Sequence, residues 1–252
     1  MNYKMIQDWT VETWEGFACR RGEVDGRACR LVLPKGLRAD RRWAWRAEFF
    51  GAFANADVEL VRRGYVLAYM DVQHHFGAPK AMRHFDAFYV FARQLGLHAR
   101  TAMIGLSRGG LFIYNWALEN HDKVACLYAD APVCDIRNWP CRPALAGTPE
   151  YIRCLEMYGL TEQALKDKYR PPIERANELA RAGIPVIHVC GGADEVVHVE
   201  HNSIPLLCNY MQGGGNCRLI VKPDCGHHPH GLEDPTEIVE FIDHAFDGWA
   251  EC

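Results

Sequence analysis

The chain contains only two serines, Ser107 and Ser203, and the first stands in the run Gly105-Leu106-Ser107-Arg108-Gly109-Gly110. A G-x-S-x-G run between a strand and a helix exposes a hydroxyl on a tight turn, with helix N–H groups beside it that favour developing negative charge. Random placement of the glycines and serines of this chain would produce only about 0.015 such runs. The glycines are expected because side chains there would collide with the adjoining strand and helix. A serine hydroxyl becomes a useful nucleophile only when a base takes its proton and a third group orients that base.

Two later segments offer those partners. Val189-Cys190-Gly191-Gly192-Ala193-Asp194-Glu195 runs from a strand into a glycine turn that presents Asp194. Pro223-Asp224-Cys225-Gly226-His227-His228-Pro229-His230 follows another strand and holds three competing histidines. His227 is favoured because Gly226 allows a tight turn that aims its imidazole back at the sheet. Asp130, in Asp130-Ala131-Pro132, is the rival to Asp194, for which an Asx turn is the plain alternative. The chemistry implied is acyl transfer through a covalent intermediate.

The elements that must position these groups are legible as alternation. Short apolar runs at 28–33, 42–46, 65–69, 101–106, 124–129, 185–190 and 217–222 read as strands. Stretches of helical period lie at 57–63, 79–95, 108–119 and 199–211, with a last helix opening at the capping-box pattern Asp234-Pro235-Thr236-Glu237. Strands alternating with helices imply an α/β fold with a mostly parallel sheet. The segment 132–182, rich in Pro, Tyr, Trp and Arg, breaks the rhythm. It reads as a small cap insertion with a helix starting at Thr148-Pro149, within one domain spanning 1–252.

Composition excludes several classes. A net charge of -4 with no long run of one sign does not fit a nucleic-acid-binding surface. The basic stretch 38–42 reads as a solvated loop. No apolar run reaches membrane-spanning length and the first residues lack the apolar core of a signal peptide, so the expectation is a cytoplasmic protein that does not engage membranes. The 11 cysteines include no Cys-x-x-Cys pair and are expected to act mainly as small core side chains. His74-His75 lack acidic or cysteine partners at ligand spacing, so no metal and no cofactor is expected. His198 and His201 read as surface or mouth residues, and glycines 213–215 as a turn.

From about residue 28 to 246 the chain resembles the α/β-hydrolase superfamily. The wording Gly-Leu-Ser-Arg-Gly-Gly resembles the branch of prolyl-oligopeptidase-like hydrolases and bacterial acyl and carbohydrate esterases. The resemblance implies a central sheet of about eight strands with helices on both faces. It implies Ser107 as nucleophile, Asp194 as acid after the seventh strand and His227 as base after the eighth, and it gives Asp71 the place of a structural aspartate. The chain departs from the family in lacking His-Gly after the third strand. Trp43-Ala44-Trp45-Arg46-Ala47-Glu48 stands there, which makes the backbone N–H groups of Arg108 and Ala47 the expected oxyanion donors. Substrate contacts are expected from Arg46, His74, His75, Trp139 and Tyr158. The leading function is a serine esterase acting on small-molecule or carbohydrate esters. A prolyl-oligopeptidase-type peptidase or aminopeptidase is the alternative, and a binding protein without turnover is disfavoured. A homo-oligomer stays open.

Overall fold

A computed structural model describes residues 1–248. One sheet of nine strands organises them, in the order β1-β2-β3-β5-β4-β6-β7-β8-β9. The first three strands, β1 (Thr10–Trp14), β2 (Phe17–Val24) and β3 (Arg27–Leu33), form an antiparallel meander. β3 then pairs antiparallel with β5 (Val66–Met70). From there β4 (Trp43–Arg46), β6 (Thr101–Leu106), β7 (Val124–Asp130), β8 (Val186–Gly191) and β9 (Cys217–Lys222) run parallel. The α/β class and mostly parallel sheet are as expected, with one strand more than about eight. β1 and β2 were not anticipated: their mixed, half-exposed side chains carry no apolar run.

β5, β6, β7 and β8 are buried throughout, which is why they read as continuous apolar runs, whereas the edge strand β9 is half-exposed. Helices cover both faces. α2 (Pro79–Leu95) and α3 (Gly109–Glu119) pack with Trp45, Phe85, Phe88 and Trp116 in one core layer. α1 (Asn55–Arg62) and α8 (Thr236–Asp247) close the other with Leu60, Ile238 and Phe241. Arg42 is not a solvated loop residue: it is buried and paired with Asp40 at 2.6 Å and with the Asp247 carboxylate. At the start of α8, Asp234 accepts from the Thr236 N–H at 3.0 Å, so the capping residue stands one place further out than the box implies.

The irregular segment 132–182 divides in two. α4 (Pro149–Tyr158), opened by Thr148 accepting from the Tyr151 N–H, and α5 (Glu162–Asp167) belong to a small separate cluster with Phe76, Leu111 and Val133. α6 (Pro172–Arg181) instead puts Ala176, Leu179 and Ala180 into the main core. It therefore serves as the crossover helix between β7 and β8. After a 3-10 turn at Val199–His201, α7 (Ser203–Gln212) begins. Seven cysteines are buried, Cys208 is exposed, Cys217 and Cys225 are half-buried, and Cys252 lies outside the described residues. Among the described residues no helix is long and apolar enough to cross a membrane.

Candidate active site

Ser107 caps the carboxyl end of β6 with φ at +51°, in the left-handed region that an L-residue occupies only under constraint. Its N–H donates to Asp130 O at 2.8 Å, and its carbonyl accepts from Gly110 N and Val133 N. Two glycines make this turn possible. A Cβ on Gly105 would stand 2.6 Å from Gly109 O, and one on Gly110 would stand 2.6 Å from the Pro132 side chain. The expected steric need fails at Gly109, where a Cβ would meet Glu48 at an ordinary 3.7 Å.

The structure brings Ser107, His227 and Asp194 together. His227 Nε2 lies 3.0 Å from Ser107 Oγ, and its Nδ1 lies 2.7 Å from Asp194 Oδ2. Asp194 Oδ1 accepts from the N–H groups of Val196 and Val197, both at 2.8 Å. Burial pushes its carboxyl up, but the His227 hydrogen bond and the two backbone donors outweigh that and hold it below the usual carboxylate range. The acid turn can approach the base loop because Gly191 has no side chain: a Cβ there would stand 2.1 Å from Gly226 O. This chain of contacts can pass a proton from hydroxyl to imidazole while a carboxylate fixes the tautomer.

Asp130 does not touch His227. It is buried and accepts from Tyr128 Oη at 3.0 Å and Gly231 N at 2.7 Å, with His230 Nδ1 at 2.6 Å. His228 is exposed and stacks on Phe53 with ring centroids 5.3 Å apart. The three imidazoles of this loop offer ligand atoms within 4.8 Å of one another, but both nitrogens of His227 are already engaged.

The loop after β4 requires the largest corrections. The Ala47 N–H is spent on Ile104 O at 2.9 Å, as a continuation of the sheet, so it cannot serve as an oxyanion donor. The next amide, that of Glu48, has no partner among the described residues, nor has that of Arg108. These two donors are joined through their side chains: Arg108 Nε donates to Glu48 Oε2 at 2.7 Å. Glu48 is fully buried and its Oε1 lacks a hydrogen-bond partner. Burial pushes its carboxyl up to about 7 despite the opposing Arg108 charge. No sequence signal beyond its position in the loop marked Glu48.

Arg46 is not a substrate contact. Its fully buried guanidinium donates to Asp57 Oδ2 at 2.7 Å and to the carbonyls of Glu48 (2.8 Å), Phe49 (3.1 Å) and Ala52 (2.7 Å). It thus clamps the loop that carries the Glu48 amide. His75 is also a packing residue, buried with Nε2 3.0 Å from Arg27 and Nδ1 against Val72 O. Tyr158 spends its hydroxyl on Phe76 O (2.8 Å) and Asn115 (3.0 Å), which braces α4 on the loop after β5. Trp139 is half-buried, 6.0 Å from the Phe76 ring. Of the expected contacts, only His74 is exposed at the rim, with φ at +63°. Partial burial and the nearby charges of Arg108 and Arg153 depress its pKa.

Fold and site together define an α/β-hydrolase of the serine type. Residues 87–249 match the prolyl oligopeptidase family, and the chain belongs to that family. Among solved structures it is similar to the Pyrococcus horikoshii acylaminoacyl peptidase (TM-score 0.68, 11% identity, all of this chain and 44% of that one). It is similar to Porphyromonas gingivalis dipeptidyl peptidase 4 (0.62, 16%, 95% of this chain and 35% of that one). It is also similar to Est1E from Butyrivibrio proteoclasticus (0.64, 19%, 95% and 99%). The chain spans about a third of the length of the dipeptidyl peptidases that it matches. No curated protein matches it.

Proposed function

We propose that the chain hydrolyses carboxylic esters through an acyl-enzyme, with acylated carbohydrates as the favoured substrate class. The hydrogen-bonded series Ser107–His227–Asp194, at 3.0 and 2.7 Å, carries this reading. Ser107 Oγ attacks the ester carbonyl carbon as its proton passes to His227 Nε2. The tetrahedral oxyanion rests on the N–H groups of Arg108 and Glu48. His227 then protonates the departing alkoxide, and water, deprotonated by the same imidazole, releases the acid. Each oxyanion donor contributes roughly 10²–10³ in rate. The irregular segment 132–167, with α4 and α5, acts as a cap beside this mouth.

A peptidase is the second reading, favoured by the family and by the peptidases among the similar structures. The rim carries charges of both signs, since Asp71 and Glu150 act on His74 as well as Arg108 and Arg153, so its electrostatics do not choose between the two readings. The test sets p-nitrophenyl esters beside amino-acid p-nitroanilides, with fluorophosphonate labelling of the wild type and Ser107→Ala. Ester turnover and labelling are expected in the wild type alone. Labelling that persists in Ser107→Ala, or turnover confined to anilides, refutes the reading.

A further inference from the structure

A cavity of about 330 Å³ opens at the carboxyl end of β5, lined by Arg21, Arg30, Phe49, Tyr69, Asp71 and Gln73 among others. Its position follows from the sheet. Arg21 lies directly opposite Arg30 in the β2–β3 pair, and Arg30 directly opposite Tyr69 in the β3–β5 pair. β5 is two strands from β6, so the near edge of the cavity stands roughly 10 Å from the strand that precedes Ser107, and Arg30, one strand further out, roughly 14 Å. Phe49 joins the two places. Its ring lies 5.0 Å from the Arg108 guanidinium carbon, and the same residue lines the cavity.

The exposed and half-exposed charges here are only partly neutralised within the fold. Like charges directly opposite in a sheet are unfavourable, and only Arg21 is neutralised, by Glu12 at 3.1 Å. The Arg30 guanidinium lies over the Phe50 ring at 4.9 Å and has no hydrogen-bond or ion-pair partner among the described residues. Asp71 Oδ1 accepts from the Gln73 N–H at 3.1 Å, while Oδ2 has no partner among those residues. An uncommitted donor and an uncommitted acceptor thus face one cavity without closing on each other.

We propose that this cavity is a sugar subsite, which holds a ring of an oligosaccharide ester beyond the ring that carries the acyl group. The inference rests on the esterase reading of Ser107 and deepens it. Each hydroxyl of a sugar both donates and accepts, so neighbouring hydroxyls satisfy Arg30 and Asp71 together. The half-exposed Phe49 ring offers an apolar face, and Gln73 a further amide. The volume is that of a small-ligand site. An extended peptide fits less well, because β3 is paired on both edges and offers no free main-chain groups. The spacing from Ser107 leaves the acyl group itself out of the cavity and demands at least two rings.

The test measures kcat/KM for a panel of O-acetylated xylo-, manno- and galacto-trisaccharides and for the matching acetylated monosaccharides. The wild type is expected to prefer at least one trisaccharide. Arg30→Gln and Asp71→Asn are each expected to shrink that preference roughly tenfold, with folding checked by thermal melts. In parallel, calorimetry on Ser107→Ala asks whether the unacylated trisaccharides and a tripeptide bind. Sugar binding is expected, and its loss when Arg30→Gln is added. A preference absent in the wild type or unchanged in both variants overturns the subsite, as does tripeptide binding that Arg30→Gln removes. If the wild type hydrolyses no ester at all, the esterase reading fails by itself. Sugar binding to Ser107→Ala then still decides whether the cavity is a subsite.

Discussion

Glu48→Gln isolates an electrostatic cost built into the candidate site. The carboxyl is fully buried, pairs with Arg108 through one oxygen, and leaves the other without a partner. Burial holds its pKa at about 7, against an ordinary value of 4.5. Below pH 4.5 the group is neutral in both the folded and unfolded chain, and the neutral form costs the fold nothing through ionisation. As pH rises toward 7 the unfolded chain releases this proton while the folded chain keeps it, so stability is lost. At about 1.4 kcal/mol per pH unit, that interval amounts to about 3 kcal/mol, fully lost above pH 7. A glutamine keeps the shape and the acceptor for Arg108 but never ionises. The stability of Glu48→Gln relative to wild type is therefore expected to rise by about 3 kcal/mol between pH 4.5 and 8. Urea denaturation of both proteins across that range measures it, because every other titrating group cancels in the difference. A difference that stays flat with pH refutes the reasoning: it would mean that the Arg108 ion pair outweighs burial and that Glu48 is ionised throughout.

Three further outcomes follow from the hydrogen bonds. Asp194→Asn is expected to lower kcat roughly 10⁴-fold by stabilising the wrong imidazole tautomer. Asp130→Asn is expected to cost stability through Tyr128, His230 and Gly231 while kcat falls by no more than about tenfold; the reverse order in ester kinetics would make Asp130 the acid. Arg46→Met leaves Asp57 as an uncompensated buried charge and frees the loop that carries the Glu48 amide, so a loss of about 3–5 kcal/mol is expected. Adding Asp57→Leu should recover most of it. Denaturation midpoints that show no recovery in the double variant would refute the ion-pair account.

Local pattern determined a good deal here. The parallel strands β5, β6, β7 and β8 are buried on both faces and so appear as uninterrupted apolar runs, and the nucleophile turn is written in adjacent residues because its steric constraints are local. Asp194 and His227 were legible for the same reason, since each follows a strand end and a glycine. The two opening strands were not, because their exposure leaves mixed side chains with neither an apolar run nor a helical period. The end of the irregular segment was misplaced as well, since α6 joins the main core through three small or aliphatic residues inside a charged stretch. The oxyanion loop shows most clearly what sequence lacks. Whether an amide is free depends on where the neighbouring strand ends, and it is the β6 carbonyl of Ile104 that consumes the Ala47 N–H and passes the role to Glu48. Arg46 likewise reads as a charge at a mouth until Asp57 and three carbonyls surround it. Residue types and spacing determined which groups could do chemistry; only the tertiary structure decided which polar groups were already satisfied, because hydrogen-bond partners and burial are set by contacts between segments distant in the chain.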